Sequence, residues 1–137
     1  RNIIIATQRA VYWVSAFDTV FRKNMGATLN ISWWQWLPIH GWRIVGTVES
    51  ADEAPMSLPR NSVVLVGSLD HPKWLVFDCP CRGGHRIMLN ADKARWPFWT
   101  IRSLKHLTVE PSIDYRAPGT KRCHYVIRKG RVMWVRD

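Results

Sequence analysis

The sequence predicts an α+β fold that is mainly β: a small antiparallel sheet with a C-terminal hairpin, a cysteine knuckle and one or two N-terminal helices. Three observations carry this expectation. From residue 43 onward, short apolar or alternating runs recur between clusters of Gly, Pro, Asp and Ser, as strands do between turns. HYVIRKGRVMWV, residues 124–135, alternates on both sides of Lys129-Gly130, a glycine turn of the hairpin kind. Residues 3–23 instead place Ala10, Val14, Phe17 and Phe21 at helical spacing, with Arg9, Asp18 and Arg22 off that stripe.

The elements follow in order. The stripe predicts an amphipathic helix over residues 3–23, stopped at Asn24-Met25-Gly26. The chain opens on Arg1, and Met25 is a candidate start with residues 1–24 as an upstream extension. ISWWQWLPIHGW, residues 31–42, is read as a second short helix or an extended aromatic strip ending at Pro38. RIVGTVE (43–49) alternates as a strand, and the prolines of residues 50–62 make a loop. VVLVGS (63–68) reads as a buried strand, KWLVFDC (73–79) and HRIMLN (85–90) as strands around a CPCRGG turn. Residues 91–99 are irregular at Pro97, LKHLTV (104–109) is a strand and PSIDYRAPGTKR a loop. The organisation expected is an amphipathic and aromatic extension, 1–42, before a knuckle-containing β-rich domain, 43–137.

Composition narrows the class. A hydrophobic content of 47% with 22% charged residues excludes a disordered chain. The net charge of +10 is uneven: residues 86–137 carry twelve Lys/Arg against four Asp/Glu, residues 1–85 eight against six. A basic second half suits an acidic partner: nucleic acid, an anionic membrane or an acidic protein. Three cysteines do not suit a disulfide scaffold. An arginine interrupts the early apolar run, against a secretory signal, and the uncharged stretch Ala10–Phe17 is too short to span a bilayer. The reading is a cytoplasmic protein with reduced thiols.

Two constellations carry chemistry. In FDCPCRGGHRIMLN, residues 77–90, Cys79 and Cys81 stand two apart, the spacing that puts side chains on one side of an extended chain. With His85 and Cys123 they make a Cys₃His donor set of the kind that binds zinc; His71 and His124 are further candidates. A tight turn with buried thiols is the bland alternative, and a redox pair would more usually be C-x-x-C. In VEPSIDYRAPGTKRCHYVI, residues 109–127, Ser112 follows a proline and His124 opens the hairpin, with Pro118-Gly119 able to reverse the chain between them. A serine hydroxyl needs a base to become a nucleophile, and neutral imidazole serves near neutral pH. Asp114 and Asp78 are the carboxylates available to orient that imidazole. Spacing alone does not separate such a dyad from a turn-capping serine and a structural histidine.

The ordered motifs LPRNSVVLVGS, CPC-x-x-G-H-x-I-x-L-N, P-x-W, L-x-V-x-P-S-I and C-H-Y-x-I-x-x-G-x-V-x-W resemble a bacterial CPCGCG-signature family. Its members look like the serine-protease component of bacterial ubiquitination-like (Bub) operons. The resemblance implies a Ser-His peptidase acting on a ubiquitin-like protein or its conjugates, with Ser112 as nucleophile, His124 as base and a structural zinc. It departs at Gly83, where the family has a third knuckle cysteine, and at Lys121, where it has a fourth; Cys123 lies two positions later. Amides near Gly83-Gly84 would bind an oxyanion, and Trp96, Trp99 or Trp134 would wall a groove. The alternative is a zinc-knuckle-like module that binds nucleic acid or holds a protein without catalysis.

Overall fold

The computed structural model describes residues 3–6, 11–14, 29–119 and 121–136. Its strands, in chain order, are β1 (Ile3–Ala6), β2 (Val11–Val14), β3 (Arg43–Val48), β4 (Ser62–Gly67) and β5 (Pro72–Asp78), then β6 (Arg86–Asn90), β7 (Thr100–Ser103), β8 (Thr108–Tyr115), β9 (Cys123–Arg128) and β10 (Arg131–Trp134). They form two sheets. The large one runs β2-β1-β6-β5-β4-β3 and the small one β10-β9-β8-β7. The pairs β1/β6 and β3/β4 are parallel and the others antiparallel.

The expected α+β class is therefore corrected to an all-β fold of two packed sheets. Helical structure among the described residues is confined to 3-10 turns at Trp33–Trp36 and Ala51–Glu53. The predicted helix over 3–23 fails where it is described, because Ile3–Ala6 and Val11–Val14 are strands. Runs of β-branched and aromatic residues favour extended backbone, and β1 finds a parallel neighbour in β6, which local spacing does not reveal. The rest of that stretch, with the stop at 24–26, lies outside the described residues. The aromatic strip forms a single 3-10 turn over WWQW. The strand expected at 104–109 is also corrected: Leu104–Leu107 is a turn, and PSIDY belongs to β8 instead of a loop.

Strands β4 and β6 and the middle of β5 are buried on both faces, which explains their continuous apolar runs. Val63, Leu65, Leu75, Phe77, Ile87 and Leu89 face the small sheet and share one core with its Val109, Ile113, Tyr115, Cys123, Tyr125 and Ile127. On the other face, Val64, Val66, Val76 and Met88 pack under Val48, Ala51, Ala54 and Leu58. A buried Arg86, 1% exposed, pins that covering loop. Its guanidinium donates to the carbonyls of Pro55 and Met56 at 2.5 and 2.9 Å and pairs with Asp78 at 3.2 Å. The small sheet has one buried face, so β8 and β9 alternate. Its hairpin closes as the sequence predicts: Lys129 and Gly130 both take positive φ, 50° and 75°, the conformation a two-residue turn of this hand requires. No helix among the described residues is long and apolar enough to cross a membrane.

Arg86→Leu should cost about 3 kcal/mol or more in urea denaturation, because it strips two carbonyls and a carboxylate of a buried cationic partner. Arg102→Ala, at an exposed pair, should cost under about 1 kcal/mol in the same measurement.

Candidate functional site

The outer face of the small sheet holds the first constellation. Val109 lies opposite Ile127 and Ile113 opposite Tyr125, so β8 carries extra residues at Glu110–Ser112 and bulges. Proline has no amide to donate, which suits Pro111 to this break in the ladder. Beyond the bulge Asp114 faces His124. Ser112, two residues earlier, shares that face and meets His124 on the diagonal. The Ser112 Oγ to His124 Nε2 distance is 3.1 Å, within reach for proton transfer.

Trp99 and Asn90 support the Ser112 side of this pair, and Asp114 lies beside His124. The buried Trp99 donates its indole Nε1–H to the Ser112 carbonyl at 3.3 Å. Trp99 is itself tied by its backbone amide to the Asn90 carbonyl at 2.8 Å. The Asn90 side chain then shapes the loop between, donating to the carbonyls of Asp92, Arg95 and Pro97 and accepting from the Asp92 amide. Asp114 accepts from Arg122 Nε and a second guanidinium nitrogen at 2.7 and 2.5 Å. This hydrogen-bonded Arg122 holds the Asp114 carboxyl below its ordinary range against the opposing effect of burial, with smaller help from the charges of Arg122, His124 and Arg116. Of the two carboxylates considered for His124, Asp114 lies beside it, while Asp78 pairs with Arg86 on the large sheet.

A cleft of about 520 Å³ opens against Ser112, walled by Trp96, Phe98, Val126, Arg128 and the Arg102–Glu110 ion pair. Trp96 is 75% exposed there. Trp99 is a core residue, and Trp134 lines a different cleft. Neither Gly83 nor Gly84 lines the Ser112 cleft, and the Gly83 amide donates to Cys81 Sγ at 3.3 Å.

The second constellation lies at the other face of β9. Cys79 follows β5, Cys81 and His85 lie in the turn to β6, and Cys123 opens β9. One donor atom from each of these four residues lies within 4.8 Å of the others. The turn is closed by the Cys79 amide to the His85 carbonyl at 2.8 Å, with positive φ at Arg82 and Gly84. Cys81 Sγ and His85 Nδ1 are 3.3 Å apart, and the imidazole packs on Tyr115 at 4.6 Å between ring centres. A Cβ at Gly83 would meet His85 Cε1 at 2.9 Å and Cys81 Sγ at 3.2 Å. Position 83 thus faces the cluster, and its missing side chain leaves room for the histidine. His71 and His124 lie outside the set.

These residues fit a tetrahedral ion. Thiolates at ~2.3 Å from zinc stand roughly 3.8 Å apart, so the donors need only a small contraction. Burial pushes the Cys79 thiol well above its ordinary range, lifts Cys123 to about 11, and lowers His85, favouring the neutral imidazole that ligates. A bound dication would reverse the thiol preference by taking the thiolates as ligands. Among the described residues the buried Tyr115 hydroxyl meets no hydrogen-bond partner, and the buried Tyr125 hydroxyl lies beside Cys79. Their ionisation is suppressed first by burial and then by the neighbouring cysteines. Four protein donors close the coordination shell, which makes any ion here a brace between the two sheets.

The sequence shows Asn90 only as an unassigned member of its L-N motif and Trp99 only as a candidate groove wall in P-x-W, which its burial in the core corrects. Their roles depend on loop geometry, which spacing does not encode.

A family model described as bacterial ubiquitination-like system serine protease (BubE) matches residues 50–135. The chain belongs to this family. No curated protein and no solved structure gives a significant match.

Metal analysis of protein purified without chelator should find about one zinc per chain, falling steeply in Cys79→Ser and Cys123→Ser, with a lowered melting temperature after chelation. Trp99→Phe keeps most of the buried ring but removes the donor to Ser112. It should cost about 1 kcal/mol in stability and a larger factor in any Ser112-dependent rate, read by comparing denaturation with turnover.

Proposed function

We propose that this BubE family member is a serine peptidase in which Ser112 and His124 form the catalytic dyad, cutting peptide or isopeptide bonds at the tail of a bacterial ubiquitin-like protein. The single observation that carries the reading is the 3.1 Å contact between Ser112 Oγ and His124 Nε2 at the mouth of a cleft. The family description supplies the reaction class and the system in which it operates.

In the first half-reaction Ser112 Oγ attacks the scissile carbonyl carbon while His124 Nε2 takes its proton. The tetrahedral adduct collapses as the imidazolium returns that proton to the leaving amine, which departs and leaves an acyl ester on Ser112. Water then attacks the ester with His124 again as base, releasing the carboxylate and restoring the hydroxyl. Asp114 lies opposite His124 in register, with its carboxylate held by Arg122. Trp96 and Phe98 give the cleft apolar walls for a narrow polypeptide tail. The Cys79, Cys81, His85 and Cys123 set would hold zinc as a structural brace and takes part in no chemical step.

Ser112→Ala and His124→Ala should each lower cleavage of a ubiquitin-like precursor from the same gene neighbourhood by about 10³-fold or more. A fluorophosphonate probe should label the parent chain at Ser112 and leave Ser112→Ala unlabelled. Cleavage that survives either alanine change at the parental rate would sink the dyad.

A further inference from the structure

The β9–β10 hairpin concentrates positive charge that the described residues leave uncompensated. Arg128 and Arg131 are register partners across it, and like charges directly opposite one another destabilise an antiparallel pair. Both are exposed. Beyond Arg131 opens a cleft of about 770 Å³ whose walls include Arg60, Arg82 and Arg131. Asp78 also lines this cleft but pairs with the buried Arg86, while Glu110 pairs with Arg102 and Asp114 with Arg122, so three arginines face one carboxylate there. Among the described residues none of the four arginines has an ion-pair partner.

Two further features say what kind of anion fits. β10 is the outer strand of the small sheet, and no described strand pairs with its far edge. Such an edge presents backbone donors and acceptors that another extended backbone complements. Trp134 lines the same cleft, 52% exposed and set edge-on against Tyr125. On the other side of the hairpin, Arg128 lines the cleft that holds Ser112. Cationic side chains therefore continue from Arg60 and Arg82 through Arg131 and Arg128 to the dyad.

We propose that the protein on which this chain acts docks through an acidic polypeptide segment laid in extended form along β10. Arg60, Arg82 and Arg131 hold its carboxylates, and Arg128 marks where the bound chain passes into the Ser112 cleft. Guanidinium forks match carboxylates in a bidentate geometry, and bringing an anion to Arg128 and Arg131 relieves their mutual repulsion. A nucleic acid offers the charge but has no peptide backbone to complete the strand edge. The direction of travel toward Ser112 rests on the dyad reading; the docking itself does not require cleavage.

The test measures binding in the Ser112→Ala chain, using a fluorescein-labelled peptide of alternating Glu and Thr, its Lys-for-Glu counterpart and a single-stranded oligonucleotide. The acidic peptide should bind best and weaken as salt rises from about 50 to 300 mM. Its affinity should fall about tenfold in Arg128→Glu/Arg131→Glu and, separately, in Arg60→Glu/Arg82→Glu. The charge-removing changes Arg131→Gln and Arg60→Gln should shift it the same way by less, with melting temperatures close to the parent's. Equal binding of the lysine peptide, tighter binding of the oligonucleotide, or acidic-peptide affinity unmoved by the reversals would overturn the proposal. Unimpaired cleavage by Ser112→Ala would instead remove the dyad and leave the docking result standing.

Discussion

Alternation along β9 is the constraint on which the rest of the molecule depends. Cys123, Tyr125 and Ile127 are buried, while His124 and Val126 are half-buried and Arg128 is exposed on the opposite face. A slip of one residue would exchange the two sets entirely. It would turn the imidazole into the core and expose the thiol and the phenol. The apolar side chains of the large sheet make that exchange costly, so the packing of one face fixes the chemistry of the other.

The cysteine cluster and the Ser112–His124 pair meet at adjacent residues, Cys123 and His124, but lie on opposite faces of β9. Cys123 joins the small sheet to the β5–β6 turn of the large one, and its neighbour His124 faces Ser112. An ion held by Cys79, Cys81, His85 and Cys123 would tie together the two layers whose packing sets the alternation. This arrangement accommodates the departures from the family signature. With no side chain at position 83, the imidazole of His85 enters the donor set, and Cys123 supplies a sulfur from β9 although position 121 is lysine.

The bulge in β8 is the complementary device. A regular ladder would spend Glu110, Pro111 and Ser112 on pairing with β9. The break instead lets the strand carry a proline and set a serine beside the next strand's histidine. Trp99 secures the carbonyl of that serine from within the core, and Asn90 shapes the loop that delivers Trp99. Stability and site geometry thus meet in the same few side chains.

By itself the sequence determined the local features: the strands from 43 to 90, the hairpin turned at Lys129-Gly130, the exclusion of disorder, and the ordered motifs that carry the family resemblance. Period-two alternation and glycine or proline punctuation act between neighbours in the chain, so they are legible without a fold. Tertiary structure decided the remainder. It made strands of Ile3–Ala6 and Val11–Val14 within the stretch read as a helix, through β propensity, the pairing of Ile3–Ala6 with β6 and the pairing of Val11–Val14 with Ile3–Ala6. It extended β8 through a proline that reads as a loop, because a register break with β9 tolerates it. It brought Cys123 to the β5–β6 turn and Ser112 to 3.1 Å from His124. Those distances arise from contacts between strands far apart in sequence, where residue spacing sets only an upper limit on separation and the packing of two sheets sets the value.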